Sequence, residues 1–221
     1  DWAKNKNKNI NVFNNVAKAA KNADVIFLLL LLLISGLTCL SAQTLKTAIF
    51  AGGCFWCMEE AFDKVDGVTM TTSGYSGGLI KSPTYEMVSK GKTNHLEVIL
   101  ITYNPSVIDY GGLVKEFWKN IDPLDDGGQF CDRGDHYRSA IFFSDGTEEK
   151  VASRSIKVLE KKYTVENPIS TLLLPRRIFY AAEDYHQDYY KKNPYRYKYY
   201  KYRCGRVERL KELGINKFTA D

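Results

Sequence analysis

From Thr47 onward the apolar and polar positions switch between two periods. The run "TAIFAGG" is apolar up to a glycine pair and predicts a short buried strand. In "CFWCMEEAFDKV" the residues Phe55, Met58, Phe62 and Val65 fall on one helical face, which sets Cys54 at a strand-to-helix junction. "GVTMTTSGYSGG" predicts a strand running into a Gly-rich turn, and the β-branched "HLEVILITYNP" a second strand closed by Asn-Pro. "VIDYGGLVKEFWKN" reads as a helix weakened by its Gly pair. The Gly- and Asp-rich "IDPLDDGGQFCDRGDH" reads as a loop leading into a strand, "YRSAIFF". A helix follows over "TEEKVASRSIKVLEKKY", with Asp145 and Glu148 at capping spacing. A strand "ISTLLL", a helix "AEDYHQDYYKK" and a Tyr-rich basic tail from about residue 195 complete the chain. No internal repeat and no second apolar core is visible. The pattern predicts one compact α+β domain over residues 43–221, a mixed or antiparallel sheet flanked by helices.

Residues 1–42 follow a different grammar. An Asn- and Lys-rich stretch precedes the unbroken apolar run "VIFLLLLLLI", and "SGLTCLSAQT" supplies small residues suited to cleavage after Ala42. The run is shorter than the ~20 residues of a spanning helix, although "SGLTCLSA" would extend it to that length. The expectation is a signal peptide, with a membrane anchor as the alternative, and so an exported, periplasmic or membrane-anchored protein. A cytoplasmic location follows only if this segment is not part of the natural chain.

Composition narrows the chemistry. Residues 1–42 hold five lysines and two aspartates, so the remaining chain carries a net charge of +2 against +5 for the whole. That gives no whole-domain reason to expect nucleic-acid binding. The interleaved "YRYKYYKYR" could stack on a nucleic acid strand, but it equally suits snorkelling over an apolar surface or docking a reductant.

Four cysteines remain: Cys54, Cys57, Cys131 and Cys204. They are too sparse for a disulfide scaffold, and a zinc site would need a second paired knuckle, whereas His95, His136 and His186 are scattered. A Cys-x-x-Cys at a helix start suits thiol-disulfide exchange, since the helix dipole and free N–H groups favour a thiolate. Here Phe55 and Trp56 fill the gap with bulk that suits a small substrate needing an apolar wall. Thiols at i and i+3 inside a regular helix must also distort the backbone before bonding. Cys54 therefore reads as the nucleophile, with Cys57 as a small buried hydrophobe beside it.

The segments "GGCFW", "GYSGG", "PTYEMV", "NHLEVILITYNPSVIDY", "FWKNIDP", "FCDRGDHYRSAIFF" and "AEDYHQDYYKKNP" run in one order over roughly residues 45–196. In this the sequence resembles the A-type peptide methionine sulfoxide reductases. The resemblance implies a ferredoxin-like α+β fold and reduction of the S epimer of methionine sulfoxide, in proteins, peptides and the free amino acid. It makes Cys54 the nucleophile and gives Phe55 and Trp56 to the pocket for the sulfoxide methyl group. Glu97 would be the acid on the sulfoxide oxygen, Tyr85 and Tyr137 donors to it, and Asp132 a supporting carboxylate. The chemistry asks for such a set, because a sulfoxide oxygen leaves poorly unless protonated. Without the resemblance, Glu97 reads as a solvated strand residue and Tyr85 and Tyr137 as packing. His186 reads as structural.

Cys54 would finish as a sulfenic acid that a second thiol must condense with. Cys204, on a C-terminal segment, is the expected resolving residue, with Cys131 and Cys57 as rivals. Thioredoxin or a similar protein would then reduce the disulfide. No bound metal or organic cofactor is expected, and the protein is expected to be a monomer.

Overall fold

The computed structural model describes residues 15, 18–21, 44–162 and 168–215. The apolar run Val25–Ile34, expected as a signal peptide or anchor, lies outside them. No described helix is long and apolar enough to cross a membrane.

Strands β1 (Lys46–Ala51), β2 (Val68–Ser76), β3 (Leu96–Tyr103) and β6 (Ala140–Phe143) form the centre of a six-stranded sheet. Their spatial order is β6-β1-β3-β2, every neighbouring pair antiparallel. Helix α1 (Phe55–Phe62) connects β1 to β2, and α3 (Tyr110–Lys119) lies between β3 and β6. This is the βαββαβ plan of a ferredoxin-like fold. Strand β7 (Leu172–Pro175) extends one edge by parallel pairing with β6, and β8 (Tyr180–Ala181) pairs with β2 at the other.

The sheet is apolar on both faces. Phe50, Ile99, Ile101 and Ile141 pack with Met58 and Phe62 of α1 and Leu113, Phe117 and Trp118 of α3. Ile49, Ala51, Val98 and Phe142 form the opposite layer. Helix α3 tolerates its Gly pair because Asp109 caps it, accepting a hydrogen bond from the Gly112 N–H at 2.7 Å. The long helix α4 (Gly146–Lys162) begins as its sequence predicts, with Asp145 accepting from the Thr147 and Glu148 amides and Glu148 reaching back to the Ser144 amide.

Two expectations change. "AEDYHQDYYKK" forms no continuous helix: Asp188 is left-handed at φ 54° and only α5 (Tyr189–Lys192) follows it. The basic tail is ordered as two helices, α6 (Pro194–Arg203) and α7 (Arg206–Leu213). Proline opens α6, and Gly205 at φ 67° separates the pair. The remaining elements are α2 (Tyr85–Ser89), a short ribbon of β4 (Gly128–Gln129) with β5 (Asp132–Arg133), and a 3₁₀ turn Asp135–Tyr137.

Candidate active site

The site begins where β1 ends. Gly53 takes φ 79°, and a Cβ there would meet the Gln129 side chain at 2.5 Å, so only glycine fits this turn. The turn delivers Cys54 to the N-cap of α1 at φ −52° and ψ 117°, outside the helical repeat. The i,i+3 objection to a Cys54–Cys57 pair therefore does not hold, because only Cys57 lies within the helix proper. Both are free, buried thiols.

Glu97 stands in the same row of β3 as Ile99 and Ile101, facing α1 where that row reaches the start of the helix. Its Oε2 accepts a hydrogen bond from the Phe55 N–H at 3.1 Å, and the residue is 2% exposed. Burial pushes its carboxyl well above the ordinary range, against the opposing pull of that amide. A buried carboxyl whose protonated form is favoured in this way is suited to donate a proton at the helix start.

Tyr85 and Tyr137 share a hydrogen bond between their hydroxyls, and burial raises both phenols, which lie within electrostatic reach of Glu97. Cys54 also lies within electrostatic reach of both. Asp132 is half-buried, accepts the Tyr200 hydroxyl at 2.5 Å and is raised by burial. Cys54, Glu97, Tyr85, Tyr137 and Asp132, drawn from four segments of the chain, thus converge.

The aromatic wall is larger than the sequence indicates. Phe55 is buried, and Trp56 stacks on Tyr189 with ring centroids 3.7 Å apart and meets Tyr200 edge-on at 6.0 Å. His186, read from sequence as structural and remote, accepts a hydrogen bond at Nδ1 from the Trp56 indole N–H at 3.2 Å. Its ring lies 4.9 Å from that of Phe55 and 4.6 Å from that of Tyr85, and its Nε2 is buried without a partner. His186 and Tyr189 belong to the stretch read as a helix, and Tyr197 and Tyr200 to the basic tail. The helical spacing of Tyr197 and Tyr200 was the only hint that one face of it is buried.

Cys54 and Cys57 share a hydrogen bond and titrate as a pair. The pair gives up its first proton readily, because the remaining thiol donates to the thiolate and Arg206 adds a positive charge, against the cost of burial; Cys57 is lowered to about 6. The second proton is held, since burial penalises a further charge at Cys54.

Cys204 ends α6 and is bonded to Cys131, not to Cys54, with Cα atoms 4.8 Å apart. Cys131 is exposed, and Cys204 Sγ lies 3.8 Å from Asp132 Oδ2. The two sulfurs and Asp132 lie close enough together to suit a metal, but a disulfide offers it no thiolate. Beside Cys204 opens a cleft of about 490 Å³ lined by Asp122, Leu124, Asp125, Phe130 and Arg209.

Comparison with known proteins agrees with this geometry. The family model described as peptide methionine sulfoxide reductase matches residues 46–217. The peptide methionine sulfoxide reductase MsrA of Halalkalibacterium halodurans is 48% identical over 166 residues, 75% of this chain and 94% of that protein. The MsrA/MsrB protein of Vibrio cholerae is 46% identical over 168 residues, 76% of this chain, but the match spans only 44% of that longer relative. Among solved structures, reduced Mxr1 of Saccharomyces cerevisiae superposes with a TM-score of 0.64 at 33% identity, covering 70% of this chain and 88% of Mxr1. Methionine sulfoxide reductase A of Corynebacterium diphtheriae gives 0.62 at 30% identity, with 70% and 77% covered. With the family model spanning the domain and these identities, the chain belongs to the A type of the peptide methionine sulfoxide reductase family.

Proposed function

We propose that this protein reduces methionine-S-sulfoxide in proteins and peptides, and as the free amino acid, with Cys54 as nucleophile. The observation that carries the reading is the pairing of a helix-capping cysteine with a buried Glu97, bonded to the Phe55 N–H and with its protonated form favoured, and two linked phenols in one aromatic pocket. Phe55 and Trp56 receive the methyl group. Glu97 protonates the sulfoxide oxygen while Tyr85 and Tyr137 hydrogen-bond to it, and Asp132 supports the site through Tyr200. Cys54 attacks the substrate sulfur as its proton passes to the Cys57 thiolate, and the protonated oxygen is transferred to the Cys54 sulfur as the sulfur–oxygen and transient sulfur–sulfur bonds break, so that methionine leaves and Cys54 is left as a sulfenic acid.

Cys57 is the thiol already in hydrogen-bond contact with Cys54, so it condenses first, releasing water. Cys204 and Cys131 then form the outer couple, in which the exposed Cys131 is open to a dithiol protein of the thioredoxin type. This reading moves Cys204 from first resolving residue to carrier of the disulfide outward. Thiols alone balance the chemistry, so neither a metal nor an organic cofactor enters. A chain acting through its tail on nucleic acid fits less well, since Tyr197, Tyr200 and Lys201 are engaged at the site by Glu60 and Asp132. We infer an exported or membrane-anchored protein from the N-terminal sequence; fractionation of cells expressing the full chain tests its location.

The mechanism is tested by a single turnover without external reductant. Prereduced wild type should release methionine in a burst and lose free thiols in pairs, whereas Cys54→Ser should release none while keeping its fold. Undiminished release from Cys54→Ser would overturn the assignment.

A further inference from the structure

The outer disulfide is asymmetric. Cys131 is exposed, whereas Cys204 is buried at the C-cap of α6. An incoming thiolate therefore reaches the Cys131 sulfur, and Cys204 carries the sulfur that leaves. A thiolate is poorly placed at Cys204. It would be shielded from water, at the negative end of a helix, with its Sγ 3.8 Å from Asp132 Oδ2. The Cys131 N–H, which donates to Cys204 Sγ at 3.3 Å, offsets part of this cost.

Asp132 is held against both sulfurs. Its Oδ1 stands 4.0 Å from Cys131 Sγ and its Oδ2 3.8 Å from Cys204 Sγ, while the Tyr200 hydroxyl donates to Oδ2 at 2.5 Å and so fixes the carboxyl in place. A disulfide sulfur carries no hydrogen, so neither sulfur can donate to this carboxyl in the oxidised state. The contact at Cys204 becomes a hydrogen bond only when a proton lies between the two atoms.

We propose that Asp132 is the acid of the recycling step, handing a proton to the Cys204 sulfur as the reductant opens the outer disulfide. The inference rests on the reading of Cys131–Cys204 as the couple that meets a dithiol reductant. The step balances. A reductant thiolate attacks Cys131 Sγ, the new sulfur–sulfur bond forms as the Cys131–Cys204 bond breaks, and Cys204 takes the departing electron pair together with the Asp132 proton, which leaves a thiol and a carboxylate. The second reductant thiolate then displaces Cys131, the reductant departs as a disulfide, and Asp132 recovers its proton from water.

The groups around Asp132 set when that proton is present. Burial raises the carboxyl above its ordinary value, against the pull of the Tyr200 hydroxyl from α6, of Arg206 from α7 and of His136 from the 3₁₀ turn. On the substrate side, Cys54, Glu97 and Tyr137 lie within its electrostatic reach. The proton is available on the acid side and is lost as pH rises through the folded-state value.

The test follows reduction of the outer disulfide in the full chain by dithiothreitol, with the new thiols trapped by alkylation and assigned to Cys131 and Cys204 by mass. Rates between about pH 4 and 9 are divided by the dithiothreitol thiolate concentration, so that only titration of the protein remains. The wild-type rate constant per thiolate should be highest on the acid side and fall as pH rises. Asp132→Ala, which can neither donate a proton nor repel a thiolate, should lower the acid-side value by about tenfold or more and flatten the profile. Asp132→Asn serves in its place if the alanine variant does not fold. A flat wild-type profile, or a variant as fast as wild type on the acid side, would overturn the proposal. So would a variant faster than wild type at every pH, which would make Asp132 a repelling charge and nothing more. No sulfoxide and no partner protein enter this measurement. Failure of the recycling reading would appear separately, as sustained turnover of Cys204→Ser with a thioredoxin-type reductant.

Discussion

Glu97 illustrates how much a single residue depends on its surroundings. In sequence it alternates with valine, leucine and isoleucine and reads as a solvated strand position; in the structure its row faces α1, and it is buried and bonded to the first helical amide. Periodicity alone cannot say which face of a strand is covered when both are, and here only the family motif identified the acid. Its raised carboxyl makes a definite prediction about pH. Protonated below its raised folded-state value, Glu97 loses its proton as pH rises through that value, so the rate of sulfoxide reduction should fall on that limb. Glu97→Gln should lower the rate by about 10²–10⁴-fold and abolish the limb. A pre-steady-state pH profile of methionine release checks both, and an unaffected rate would remove Glu97 from the acid role.

At the scale of elements, the strand-to-helix turn was legible because "GGC" between an apolar run and a 3.6-period helix has few other readings. What holds α1 to the rest was not, because it involves residues far apart in sequence. Glu59, on the helix, is 1% exposed; its Oε1 accepts the Asp188 amide at 3.1 Å, and Oε2 is buried without a partner. Asp188 sits in the left-handed turn that breaks the expected helix, and that turn carries His186 and Tyr189 into the aromatic wall. Burial raises Glu59 to about 7. The folded value exceeds the unfolded one, so the folded state binds this proton more tightly, and stability is lost as pH rises from about 4 through 7. Glu59→Gln should therefore leave stability at pH 4 nearly unchanged and raise it at pH 8 by on the order of 1–3 kcal/mol relative to wild type. Denaturant unfolding at the two pH values measures this, and an equal change at both would show that Glu59 does not titrate in this range.

For the whole molecule, a single α+β sheet domain followed from the order of strands and helices and its ferredoxin-like plan from the family resemblance, whereas the path of electrons did not. Which sulfur meets which is fixed by loops and by a tail whose composition left open snorkelling over an apolar surface, docking a reductant or stacking on nucleic acid. Folded as α6 and α7, that tail closes over the dithiol with Tyr197 and Tyr200, bonds Cys204 to Cys131, and buries Arg206 against Gly52. The substrate end and the reductant end are thus distinct surfaces, an enclosed aromatic pocket at Cys54 and an exposed disulfide at Cys131. The central claim concerns the first. It is tested most directly by giving the prereduced full chain, with dithiothreitol, a peptide carrying methionine sulfoxide as separated S and R epimers, and following loss of one oxygen by mass spectrometry. The account predicts loss from the S epimer alone. Loss from neither, or from the R epimer, by a folded and reduced protein would contradict it.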